Sequence, residues 1–111
     1  MNKIALGLFI AALSFSAIAA ETPAVMDTNS CKQPVYPKVS LMNEETGTVV
    51  LAFNVTTDGK VSESKIEKSS GFKGLDKTAL SALSLCKFKP ATKDGKPEQV
   101  WTKVNFDWKL D

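Results

Sequence analysis

The chain holds two cysteines, Cys31 and Cys86, and no histidine. Thiol chemistry of the exchange type needs two sulfurs two residues apart, so that one thiolate can resolve the mixed disulfide made by the other. Cys31 and Cys86 stand about 55 residues apart, a spacing that suits a structural bridge in an exported domain better than a redox dithiol. Closing a loop of that length removes roughly 4 kcal/mol of chain entropy from the unfolded state. The lack of histidine removes the commonest general base and the commonest metal ligand together. No carboxylate pair stands at a recognisable spacing and no nucleophile motif is present, so neither an enzyme nor a metal, cofactor or small-molecule site is expected. Ser69-Ser70-Gly71 superficially suggests a phosphate cradle, but it lacks the glycine spacing and the Lys-Ser/Thr ending of a P-loop and reads as a turn.

What remains is recognition without reaction. All fourteen basic residues are lysines, nearly balanced by twelve acids to a formal net charge of +2. Without arginine forks or an aromatic-interleaved basic stripe, nucleic acid is not an expected partner. Trp101 stands out because it breaks the polar face of an otherwise alternating strand. It either caps the face of the sheet that no helix covers or grips a partner beside an open edge.

At the amino terminus, Lys3 precedes an apolar run from Ile4 to Ala20 that ends in the small residues Ala17-Ile18-Ala19. This predicts a secretion signal over residues 1–20, removed so that the mature chain starts at Ala20 or Glu21. The alternative is an uncleaved anchor, since 17 helical residues reach roughly 25 Å. Export would place the domain in an oxidising compartment, the periplasm. Residues 21–32 are polar and aperiodic and read as a flexible tether of at most about 43 Å. Residues 33–111 then form one small domain.

The elements of that domain follow from apolar periodicity. In Thr48 to Thr56, Val49, Leu51, Phe53 and Val55 make one continuous apolar face. Asp58-Gly59 predicts a two-residue type I′ turn, which sets Phe53 opposite Ser64 and Leu51 opposite Ile66, with Ile66 buried. Val61 falls on the other face, so either it covers the sheet's second side or a bulge follows it. Leu75, Ala79, Ala82, Leu83 and Cys86 form a helical stripe, with Asp76 in the first turn where the helix dipole favours an acid. Lys38 to Asn43 reads as a short helical turn whose Val39, Leu41 and Met42 cover the sheet. Phe88 is a core plug, Asp94-Gly95 a turn, and Val100 to Leu110 the longest strand. A strand-helix-strand connection makes parallel neighbours, so in an antiparallel sheet the last strand must pair with the first. The expected fold is therefore α+β: a three-stranded antiparallel sheet in the order second, first, last, with one main helix on one face. The last strand lies on an edge, and an unpaired edge is a template for another strand.

Gln33-Pro34-Val35-Tyr36-Pro37, Gly47-Thr48-Val49-Val50, Asp58-Gly59-Lys60-Val61, Ser69-Ser70-Gly71-Phe72, Leu75-Asp76, Ala79-Leu80, Phe88-Lys89-Pro90-Ala91 and Asp94-Gly95-Lys96-Pro97 occur here in one order. Together they resemble the carboxy-terminal domain of the TonB energy transducers, over about Gln33 to Leu110. The resemblance implies a non-enzymatic periplasmic module that captures an extended segment of outer-membrane TonB-dependent transporters, or of other periplasmic proteins, by strand addition. Carried over, the docking zone is Gln33, Pro34, Tyr36 and Pro37 with the edge residues Val100, Trp101, Thr102, Lys103, Val104, Asn105 and Phe106. The proline-rich spacer and the anchor histidine of full transducers are missing, which points to a stand-alone accessory module not coupled to the proton gradient. The cysteine pair is a second departure from the best-known members. The alternative function is a self-associating structural or assembly subunit of a periplasmic or envelope complex, whose edge pairs with itself in a homodimer or with a fixed partner.

Overall fold

The computed structural model describes residues 21–111, so the expected secretion signal at 1–20 lies outside the described residues. Ten elements follow in order: β1 (Glu21–Thr22), β2 (Val25–Asp27), α1 (Lys38–Met42), β3 (Gly47–Val55), β4 (Val61–Lys68), α2 (Lys73–Leu83), β5 (Lys87–Lys89), β6 (Ala91–Lys93), β7 (Lys96–Glu98) and β8 (Val100–Trp108). The main sheet has the order β4-β3-β8, antiparallel throughout, as the strand-helix-strand argument requires. Val49, Leu51, Phe53 and Val55 of β3 are fully buried. They pack with Leu75, Ala79 and Leu83 of α2 and with Phe88 and Trp108 in one core.

The hairpin reaches the expected register by a different route. Asp58 does not take a positive φ, whereas Gly59 does, at 85°. Gly59 N–H donates to the Thr56 carbonyl at 2.9 Å and Thr56 N–H to the Lys60 carbonyl at 2.8 Å. This is a three-residue loop, Thr57 to Gly59, with glycine in the left-handed position, in place of the type I′ pair. The ladder runs Val55↔Val61 and then shifts by one residue to Asn54↔Glu63, leaving Ser62 as a bulge. The bulge after Val61 cancels the extra loop residue, so Phe53↔Ser64 and Leu51↔Ile66 hold as expected. Ile66 itself is a correction: it stays 38% exposed, because β4 is the outer strand of the sheet and its inner face is only partly covered.

α1 is also turned differently from expectation. Val39, Leu41 and Met42 are exposed, and Ser40 is the buried residue. The Ser40 hydroxyl lies 3.7 Å from where a Cβ on Gly74 would sit. Two helices that approach this closely admit only small side chains at the contact, which turns the aliphatic ones outward.

Residues 21–32 are not a tether. β1 pairs with β6, and β2 pairs with β5. Ala24, Met26 and Cys31 pack against the core, and the Cys31–Cys86 disulfide fastens this strap to the end of α2. Two- and three-residue strands are too short to show periodicity, and their partners lie some sixty residues away. β6 and β7 are joined by a two-residue turn in which Asp94 and Gly95 both take positive φ, 53° and 80°, the type I′ geometry.

Candidate functional site

β8 pairs with β3 at nine consecutive positions, from Val55↔Val100 to Gly47↔Trp108, without a register shift. Among the described residues no strand pairs with its other side, so that side carries unpaired backbone donors and acceptors. Side chains alternate along it. Val100, Thr102, Val104 and Phe106 are half-buried on the core side, while Trp101, Lys103 and Asn105 are exposed on the other.

At its far end β8 enters an aromatic cluster. Trp108 is buried, and its indole N–H donates to the Leu75 carbonyl at 3.2 Å. The rings of Tyr36 and Phe106 meet it edge-on, with centroids at 4.8 Å and 4.9 Å. The Tyr36 hydroxyl donates to the Glu45 carbonyl. Burial first, and then the nearby Glu45 carboxylate, push its phenol above the ordinary value. Tyr36 and Phe106, distant in sequence, are thus brought together through Trp108.

Trp101 lies at the other end and on the other face, about 23 Å along the strand from Trp108. It is 46% exposed, and the Lys65 ammonium sits 4.9 Å from its ring centroid. Next to it, residues Thr22 to Ala24 of the strap and Val100 to Thr102 enclose an open cleft of about 350 Å³. Gln33 and Pro34 are elsewhere. They line a separate cleft of about 360 Å³ with Val35, Ala82 and Leu85 beside the disulfide, and the Gln33 amide donates to the Thr28 carbonyl at 3.3 Å. Pro37 caps the start of α1. The lead-in segment is therefore divided, with Tyr36 joined to the strand edge while Gln33 and Pro34 stand apart from it. No sequence signal marked residues 21–24 or Glu98 as neighbours of that edge.

A family model described as Gram-negative bacterial TonB protein C-terminal matches residues 32–110. The chain belongs to the TonB carboxy-terminal family. Among its relatives, Protein tonB2 of Pseudomonas aeruginosa is 37% identical over 78 residues, which is 70% of this chain and 29% of that protein. Protein TonB of Neisseria meningitidis serogroup C is 49% identical over 53 residues, 48% of this chain and 19% of the relative. Protein TonB of Vibrio cholerae is 31% identical over 94 residues, 85% of this chain and 38% of the relative. The chain thus spans well under half the length of these TonB proteins. The family match contains β3, β4, α2 and β8 and begins after the β1–β2 strap, whereas the 94 residues matched in the Vibrio cholerae protein take the strap in.

Proposed function

We propose that this chain is a periplasmic protein-binding module, accessory to TonB-dependent transport, that takes an extended segment of an outer-membrane transporter as an added strand along β8. The observation that carries the reading is the regular, one-sided pairing of β8 over nine residues. Main-chain hydrogen bonds along such an edge supply affinity for any extended segment, and the flanking side chains supply choice. Tyr36 and Phe106 around Trp108 offer an aromatic surface at one end, and Trp101 offers another. The disulfide fits export to an oxidising compartment, and removal of residues 1–20 on export completes the reading.

Titration of the oxidised domain with a synthetic segment of such a transporter, followed by amide shifts, tests it. Shifts concentrated from Val100 to Phe106 are expected; their absence sinks strand addition. The same edge could pair with a second copy, and sedimentation over a concentration range separates that case, because self-pairing raises the mass with concentration.

A further inference from the structure

The cleft at the head of β8 combines carboxylates with apolar side chains. Ten residues line it, among them two carboxylates, Glu21 and Glu98, three threonines and no lysine, in a chain with fourteen lysines. The apolar part of its lining is Pro23, Ala24, Ala91, Val100 and Trp101. The two acids differ in their surroundings. Glu21 lies across the small sheet from Lys93, and Lys93 from Lys96, so lysines flank its charge. Glu98 stands opposite Ala91, with no cation across from it. Among the described residues the ion pair within 4 Å is Lys109 with Asp107, which leaves both cleft acids outside any such pair.

An apolar lining with a carboxylate outside any ion pair among the described residues, beside an indole whose ring already draws the Lys65 ammonium, suits a side chain with an aliphatic stem and a cationic head. Val100 to Thr102, at the head of β8, belong both to its one-sided edge and to the lining of this cleft. We infer that the cleft is a subsite for a lysine or arginine that flanks the strand-forming part of a bound segment, with Glu98 receiving its charge. This rests on the strand-addition reading and adds the chemistry of the guest to it. The strap residues Glu21 to Ala24 form one wall, so the disulfide-fastened strap that lies outside the family match takes part in choosing the partner.

Three peptides test the inference: one extended strand-forming segment, flanked at both ends by Ala-Ala-Lys, by Ala-Ala-Glu or by Ala-Ala-Ala. Isothermal titration gives the affinities, while the Glu98 amide and the Trp101 indole N–H report occupancy of the cleft. The lysine flank is expected to bind about threefold to tenfold tighter than alanine, as one partly exposed charge contact aided by an aromatic face gives. The glutamate flank should bind more weakly than alanine. Glu98→Gln should erase the lysine preference, and Glu98→Lys should turn it towards glutamate. Equal affinities for all three peptides, with shifts still present from Lys103 to Phe106, overturn the subsite and leave strand addition standing. Absence of shifts along β8 with every peptide overturns both.

Discussion

Removing the carboxylate of Asp76, buried in the first turn of α2, should destabilise the fold, and the part of the loss that depends on its charge should vanish in acid. Asp76 is only 4% exposed. It accepts hydrogen bonds from the Ser70 backbone N–H at 2.8 Å, from the Ser70 hydroxyl at 2.7 Å and from the Ser69 hydroxyl. Burial alone would raise its pKa, but these three bonds outweigh it and hold the carboxyl below its ordinary value. They also tie the loop after β4 to the first turn of α2. The Ser70 carbonyl in turn lies 2.6 Å from where a Cβ on Gly47 would be, at the start of β3. Asp76→Ala strands a part-buried N–H and two hydroxyls at once. At about 1.5–3 kcal/mol for a bond to a charged acceptor, with the exposed hydroxyls recovering water, the net loss is about 2–4 kcal/mol. With a urea slope of about 1–1.5 kcal/mol/M for a domain of this size, the midpoint should fall by about 2 M. The sign with pH follows from linkage. A carboxyl whose folded pKa lies below its unfolded value of about 4 stabilises the fold at pH values above 4. That stabilisation disappears as pH drops through the folded pKa. The stability gap between wild type and Asp76→Asn should therefore be constant from pH 7 to about pH 5 and shrink below about pH 4. A midpoint change under about 0.5 M for Asp76→Ala, or a gap to Asp76→Asn as large at pH 3 as at pH 7, would refute the reasoning.

Replacing Cys31 and Cys86 together by serine should cost up to roughly 4 kcal/mol by loop entropy. Amide exchange in residues 21–31 should accelerate far more than in β3. Gly59→Ala and Gly95→Ala should differ although both sites have positive φ. At Gly95 nothing lies within 4 Å of the added Cβ, whereas at Gly59 it collides with the Phe88 carbonyl. Thermal unfolding should therefore show about 1 kcal/mol lost at Gly95 and at least twice that at Gly59. Trp108→Phe removes the donor to Leu75 and reshapes the contacts of Tyr36 and Phe106. It should cost about 1–2 kcal/mol, read from denaturant midpoints.

Sheet order and core were legible because each rests on a rule of period or connection that a single chain displays. β3 alternates, α2 carries a 3.6-residue stripe, and the position of β8 follows from the handover through one helix. The hairpin register was legible by cancellation: the loop is one residue longer than the Asp58-Gly59 signal implies, and the bulge at Ser62 takes that residue up again. The face of α1 was not legible, because a single turn has no period to read, and close contact with Gly74 decided it. Asp76 was read as a dipole complement, and its stronger role as acceptor for Ser69 and Ser70 depends on how the loop folds back. The strap was invisible for the same kind of reason, since Val25–Asp27 owes its structure to β5 and to Cys86. Of the candidate binding residues, alternation placed those of β8 on one strand, and the structure has them there. The lead-in motif could not show that Tyr36 and Gln33 part company within three residues.

The three-stranded sheet has two edges, and they are not equivalent. β4 shows two register shifts against β3, and four of its eight residues, Glu63, Lys65, Glu67 and Lys68, are charged. Bulges and charges are what proteins use to make an edge unfit for another strand. β8 has neither defence along its middle: its register is unbroken, and from Val100 to Phe106 its only charge is Lys103. A chain that needed both edges inert would have blunted both, since an open regular edge invites aggregation. The contrast within one sheet therefore separates a blunted edge from a regular one, and it is the regular one that the proposed strand addition uses. The cleft acids Glu21 and Glu98 lie in one lining with Val100 to Thr102, at the head of the regular edge and not of the blunted one.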